Sequence, residues 1–349
     1  MQTLLKERAP ASPLAYTDEV ARITAPLYAK LARQYREDHW KTIAPYIVEI
    51  NKLKKQKNAV ILAHNYMTPD IFFGVGDIVG DSLKLAQEAA KTDAAIIVQC
   101  GVHFMAETSK ILCPEKKILL PDTHAGCSLA ESITGEDVRK LKAQYPGVPV
   151  VTYVNTSADV KAESDVCCTS SNALTIVEAL GRKGHTRVIM TPDKFLAQNV
   201  ANELKAKGSS IEIIIWDGTC MVHERFTAED VRRIRAEHGD VVVLAHPECP
   251  PEVMAESDFA GSTAQMDVYI KSKQPKKAVL MTECSMSDNV AANNPEVEMI
   301  GTCQMCPHMK RITLPKILRS LQTEQPEIIV DPAIIPRARR AVERMLELS

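Results

Sequence analysis

Three apolar runs recur along the chain, each closing on polar residues: NAVILAHNY (58–66), VPVVTYVN (148–155) and DVVVLAHPE (240–248). Short, β-branched runs of this kind predict strands buried on both faces, as in a parallel sheet. Their ends align at His64, Asn155 and His246, each 91 residues from the next. Some eighteen residues later a hydroxyl opens a helical pattern: Ser82 before LKLAQEAAK, Ser170 and Ser171 before NALTIVEAL, Ser262 and Thr263 before AQMDVYIK. The phrases VKAESDVCCTSS (160–171) and VMAESDFAGST (253–263) match almost letter for letter up to the Asp. A second strand pattern follows each time, AAIIVQC (94–100), TRVIMTPD (186–193) and KAVLMTEC (277–284).

A period of 91 residues is too long for a solenoid. It predicts three homologous α/β/α sandwich domains in a pseudo-threefold arrangement, with the strand C-termini facing a shared centre, where open α/β sheets place their ligands. The expected division is a helical N-terminal extension (1–50), then repeats at 51–140, 141–235 and 236–349, the last carrying the amphipathic helix AIIPRARRAVERMLELS.

Bulk properties narrow the function. Of 349 residues, 45% are hydrophobic and 25% charged, and the net charge is -2. That balance offers no electrostatic footprint for nucleic acid or a membrane surface. MQTLLKERAP lacks the apolar core of a signal peptide, and no run approaches the roughly 20 apolar residues needed to span a bilayer. The expected location is the cytoplasm. Ten cysteines then point toward metal or redox chemistry, because disulfides are disfavoured there. Cys100, Cys113, Cys167, Cys168, Cys249 and Cys284 lie in or beside apolar segments and read as small buried hydrophobes.

The repeats leave one cysteine each at equivalent loops: Cys127 in HAGCSLA, Cys220 in DGTCMVHE and Cys306 in CQMCPHMK. Three converging thiolates can hold a [4Fe-4S] cluster and leave its fourth iron open. Zinc on Cys303-x-x-Cys306 with a third Cys or His308 is a second reading, and plain packing or redox pairs a third. The hydroxyls at Ser82, Ser170, Ser262 and Thr263 sit where N-caps belong. Three helix N-termini on one cavity would also suit a small substrate set with several phosphate or carboxylate groups. His64, Tyr66, Tyr153, Asn155, His246 and Glu248 gather acid–base groups at the strand ends, and His223 follows Cys220 by three residues. His39, His185 and His238 read as surface residues.

Taken together, AHNY (63–66), GDS (80–82), CGVHFMAETSKIL (100–112), YVN (153–155), the GxC-x-V-H form at 218–223, HPEC (246–249), ST (262–263) and MKRITL (309–314) resemble the quinolinate synthase family from about residue 58 onward. The resemblance implies three α/β domains around a central [4Fe-4S] cluster held by Cys127, Cys220 and Cys306. It implies condensation of iminoaspartate with dihydroxyacetone phosphate to quinolinate for NAD biosynthesis, with release of phosphate and two waters. Substrate contacts are implied for His64, Tyr66, Ser82, Tyr153, Asn155, Ser170, His223, His246, Glu248, Ser262 and Thr263. Proton transfer is assigned to Tyr66 and Glu248, assisted by His64 and His223, with the open iron as Lewis acid. Functional coupling to L-aspartate oxidase and a homodimer belong to the same expectation. Some family members carry a C-x-x-C-x-x-C run near the third ligand; here position 300 is Ile, so only Cys303-x-x-Cys306 remains. Cys303 reads as a bystander thiol first, and as half of a Cys303–Cys306 disulfide that shuts off cluster binding second. Another cluster-dependent hydro-lyase, or a non-catalytic iron–sulfur sensor, remains the alternative.

Overall fold

A computed structural model describes residues 14–302 and 304–348. MQTLLKERAP and Cys303, with the proposed Cys303–Cys306 switch, lie outside them. Among the described residues no helix is long and apolar enough to cross a membrane.

The apolar runs form three parallel four-stranded sheets. The first has β1 (Ala59–His64), β2 (Ile78–Gly80), β3 (Ile96–Cys100) and β4 (Lys117–Leu119), in the order β2-β1-β3-β4. The second, β5 (Val150–Tyr153) to β8 (Glu212–Ile215) with β6 (Val166–Cys168) and β7 (Arg187–Thr191) between, repeats it as β6-β5-β7-β8. The third uses β9 (Val242–Ala245), β10 (Phe259–Ala260), β11 (Lys277–Met281) and β12 (Glu298–Ile300) as β10-β9-β11-β12. Parallel neighbours require crossovers, and helices supply them.

One local device recurs in all three sheets. Asp77, Asp165 and Asp258 each accept the backbone N–H of the central strand, from Ile61, Val150 and Val243 at 2.8–2.9 Å. Each returns its own N–H to the carbonyl of that same residue. A cation on a preceding helix, Lys54, Lys142 or Arg235, pairs with each carboxylate. These anchors, with the pairings Ala63–Cys100, Thr152–Thr191 and Ala245–Met281, correct the alignment read from sequence. Tyr153, not Asn155, is equivalent to His64 and His246. Asn155 belongs with Tyr66 and Glu248.

The helix caps also differ in detail from the expectation. Ser262 is an N-cap with a full capping box, and Thr263 opens the helix Thr263–Lys273. The cap of Ser82–Lys91 is Asp81, which places Ser82 inside the first turn. Asn172 precedes the helix Ala173–Arg182, so Ser170 lies in the loop before it.

A helix begins eight residues after each of the three loop cysteines: Gly135–Gln144, Ala228–His238 and Leu314–Thr323. The first two pack on helices of the following sheet, Ala158–Glu163 and Pro251–Ala255. The third turns back to pack on Glu37–Gln56 beside the first sheet. Glu324 then pairs with Lys57 and Lys117, and Ile328 donates to the Ile118 carbonyl at 2.8 Å. The final helix, Ile335–Glu347, lies across Ala158–Glu163 and β6 of the second unit. At the other end, Asp18–Leu31 and Glu37–Gln56 join the first and third units through Lys30–Asn293 (2.8 Å) and the Arg33 contact with the Pro295 carbonyl (3.0 Å).

Candidate active site

The central strands β1, β5 and β9 end in buried polar residues, and all three ends open onto one cavity. Its walls carry His64 and Tyr66 from the first unit, Tyr153 and Asn155 from the second, and His246 and Glu248 from the third. Ser82, Ser170, Thr263 and His223 face it as well, and so do Cys127, Cys220 and Cys306. Ser262 is the one expected contact that does not line it; its hydroxyl caps its own helix at the Gln265 N–H.

Glu248, buried in the middle of this wall, is the hub. Its Oε1 accepts from the Tyr153 hydroxyl at 2.5 Å and from Asn155 Nδ2 at 3.4 Å. Its Oε2 lies 2.8 Å from His223 Nδ1. Burial pushes the carboxyl upward, but His223, His246 and the hydrogen bonds from His223 and Tyr153 outweigh it and hold Glu248 well below the usual carboxylate range. A Nδ1–H on His223 facing that carboxylate leaves Nε2 as an acceptor. Nε2 lies 2.9 Å from Thr282 Oγ1, which lies 2.7 Å from the Tyr66 hydroxyl. Tyr66, Thr282, His223 and Glu248 thus make one continuous proton path. Burial, then the charge on Glu248, raises both Tyr66 and Tyr153 well above the ordinary phenol value, so both are donors at neutral pH.

His64 and His246 are set up differently. In each, Nδ1 accepts the N–H two residues on, from Tyr66 at 3.2 Å and Glu248 at 3.3 Å. That bond puts the ring proton on Nε2, toward the cavity, where His246 meets Ser170 Oγ at 3.2 Å. Burial lowers His64 to about 4 and His246 to about 3. Both rings are neutral hydrogen-bond donors at physiological pH. His246 also stacks on His223, with centroids 4.7 Å apart.

The three cysteine loops are built alike. The residue after the cap of the second crossover helix donates its N–H to the carbonyl two residues before each cysteine: His103 to Ala125 (2.7 Å), Lys194 to Gly218 (2.8 Å) and Cys284 to Gln304 (3.2 Å). Each sulfur then meets the N–H groups two and three residues on: Leu129 and Ala130, Val222 and His223, His308 and Met309. Burial keeps all three as thiols in the metal-free chain, with Cys127 pushed up to about 12. All three cysteines line the same cavity, which brings their sulfurs to one space. Backbone donors aimed at three sulfurs favour thiolates and fit a soft thiophilic metal group. A second grouping, Cys220, His223 and Glu248, has donor atoms within 4.8 Å of one another. Its 2.8 Å His223–Glu248 contact is a hydrogen-bond distance, too short for two ligands of one tetrahedral zinc at about 2.0–2.1 Å from each.

Sequence reasoning missed Thr282, which lies in the run KAVLMTEC without any motif to mark it, and Asp81. Asp81 lines the cavity and its carboxylate accepts the Lys84 N–H at 2.9 Å. It therefore already occupies a helix N-terminus read as a substrate-anion site. The GDS triplet contained the signal.

A pocket at the ends of parallel strands, with a buried proton path beside a thiol set, marks the chain as an α/β enzyme with metal-binding capacity. Residues 48–347 match the NadA family, described as quinolinate synthetase A protein, and the chain belongs to that family. It is 59% identical over 334 residues to a quinolinate synthase of Caulobacter vibrioides (strain NA1000 / CB15N), covering 95% of this chain and 90% of that one. It is 57% identical over 335 residues to a quinolinate synthase of Sinorhizobium medicae (strain WSM419), covering 96% and 91%.

Proposed function

We propose that the chain makes quinolinate for NAD biosynthesis, condensing iminoaspartate with dihydroxyacetone phosphate and releasing phosphate and two waters. The observation that carries this reading is the meeting of three thiols with the Tyr66–Thr282–His223–Glu248 path in one cavity, in a chain so similar to named quinolinate synthases. Cys127, Cys220 and Cys306 would hold a [4Fe-4S] cluster, which supplies a Lewis acid for removing hydroxide from carbon when bound.

The chain's own groups divide the remaining work. Glu248, held ionised, takes a proton through His223. Tyr66, held protonated at the far end, donates one to a leaving oxygen. Condensation and dehydration need both, and the hydrogen-bonded path lets one residue recharge the other between steps. The neutral Nε2–H groups of His64 and His246 hydrogen-bond substrate oxygens without adding charge, and His246 orients Ser170. Ser170 and Thr263, close to helix starts, receive substrate phosphate and carboxylate, and Ser82 contributes its hydroxyl beside a helix N-terminus that Asp81 already occupies. Asn155 and Tyr153 hold Glu248 and face the substrate together. The substrates are small and anionic, we place the enzyme in the cytoplasm, and coupling to L-aspartate oxidase and dimerisation belong to the same proposal.

Anaerobic purification, iron and sulfide assay, and incubation with both substrates test it. Four irons per chain with quinolinate formed is the expected result. A loaded cluster without quinolinate would move the reading to another hydro-lyase, and a chain that binds no iron would overturn the cluster assignment.

A further inference from the structure

The cavity-facing residues Tyr66, Asn155 and Glu248 occupy equivalent positions just past β1, β5 and β9. Each is flanked by two carbonyls that point away from the cavity to a single buried nitrogen. Asn199 Nδ2 donates to the carbonyls of Pro247 and Cys249, both at 2.9 Å. Asn289 Nδ2 donates to those of Asn65 (3.0 Å) and Met67 (2.9 Å). Lys161 Nζ donates to those of Val154 (2.9 Å) and Thr156. We propose that Asn199, Asn289 and Lys161 are positioning residues, each bracketing one cavity residue from behind and fixing the direction in which its side chain points.

Several observations favour aim over plain packing. Asn199 and Asn289 sit in helix interiors, where Asn is a weak helix former, and are 5% and 2% exposed. An apolar residue would suit both places better unless the amide were needed. Asn289 Oδ1 is buried without a hydrogen-bond partner among the described residues, so its nitrogen is the half that is used. Both lie six residues past a helix cap, Asp193 or Glu283, and each reaches across a seam, from the second unit to the third and from the third to the first.

The first unit breaks the pattern in an informative way. Six residues past the cap Val102 stands Thr108, whose hydroxyl is spent on the Phe104 carbonyl within its own helix. Lys161 takes over from the second unit itself, with its ammonium 5.6 Å from the Phe104 ring centroid and no exposure to solvent. The bracket survives although its donor has changed residue type and element. A loop bound only at its ends can rotate its central side chain; one with both flanking carbonyls tied cannot do so without breaking a buried hydrogen bond.

The reaction proposed above enters this test only through its kinetic readout. In cluster-loaded enzyme, Asn199→Leu is expected to lower kcat for quinolinate formation on the order of 100-fold, the usual cost of an ångström-scale misplacement. Iron content should match the parent, and KM for dihydroxyacetone phosphate should stay within about threefold. In a Glu248→Ala background the same change should cost less than about twofold, because no carboxylate remains to be aimed. Equal losses in both backgrounds would reduce Asn199 to a seam contact and overturn the proposal. If Asn199→Leu does not fold or Glu248→Ala turnover is undetectable, Asn289→Leu with Tyr66→Ala repeats the cycle. A crystal structure of either Leu variant gives a reading independent of turnover: Glu248 or Tyr66 must leave its present partners, and an unmoved side chain overturns the proposal. A parent enzyme that forms no quinolinate counts against the reaction, and the crystal comparison still decides the bracket.

Discussion

Glu248 accepts from three side chains at once, so replacing it tests the most connected point of the site. Glu248→Gln keeps the volume but puts an amide where His223 and Tyr153 both donate. Turnover is expected to fall on the order of 10²–10⁴-fold with iron content retained; full turnover would remove Glu248 from the proton path. The two low-pKa histidines make a prediction about pH. An unfolded histidine takes up its proton near about 6.5, whereas folded His64 and His246 do so only near about 4 and about 3. Below about pH 6.5 the unfolded chain therefore holds more protons. Stability is intact above that value and falls as pH drops, approaching about 2.7 kcal/mol per unit for the two groups together. Glu248, with its depressed pKa, adds stability present above about pH 4.3 and lost below it. Urea midpoints between pH 7 and 5 should decline, and His246→Gln should flatten the slope by about half. A midpoint constant across that range would show that the rings are not buried neutral.

At this scale much of the site was legible. His64, Tyr66, Tyr153, His246 and Glu248 could be named because polar residues closing an apolar run are conspicuous, and His223 because it follows a loop cysteine by three residues. Thr282 and Asn199 could not, since a threonine after β11 and an asparagine inside a helix look like any other. Their roles come from partners 59 and 48 residues away.

Among the elements, the three sheets follow directly from the apolar runs, but the equivalence between them needed the structure. VPVVTYVN has a tyrosine where the other two runs have their histidine, so setting Asn155 beside His64 and His246 slips the second copy by two positions. The Asp77, Asp165 and Asp258 anchors settle the register because they pin the strand itself. Helix starts carry a measurable share of stability. Thr134 and Thr227 each close a full capping box on the helices Gly135–Gln144 and Ala228–His238. Replacing either with Ala is expected to cost about 1 kcal/mol, read as a lower melting temperature with unchanged iron content. The equivalent Thr313 makes no side-chain cap bond, so Thr313→Ala should change stability by less than half as much.

For the whole molecule, the three cysteine loops lie at the joints between units, so a metal group held by all three ties the units together. Stripping iron with a chelator under anaerobic conditions is expected to lower the melting temperature and broaden or split the transition, since binding to the folded state alone stabilises it. Coincident melting curves with and without iron would mean that the protein contacts suffice. Neither the return of Leu314–Thr323 to the first unit nor the seat of Ile335–Glu347 on the second was legible beforehand. An amphipathic pattern says that a helix has a buried face, not which surface covers it.

The helix that begins eight residues past each cysteine has a further consequence. Gly135–Gln144 and Ala228–His238 stand before the second and third sheets as Glu37–Gln56 stands before the first, each carrying the cation that pairs with its sheet's anchoring aspartate. Leu314–Thr323 follows the last sheet and lies against Glu37–Gln56 itself, so the chain closes on the helix through which it entered the first unit. The three units are thereby tied through their entry helices, at the opposite side of the frame from the residues that do chemistry. Within that common frame one position is a tyrosine, its counterpart an asparagine and the third a glutamate, around a cavity that all three face.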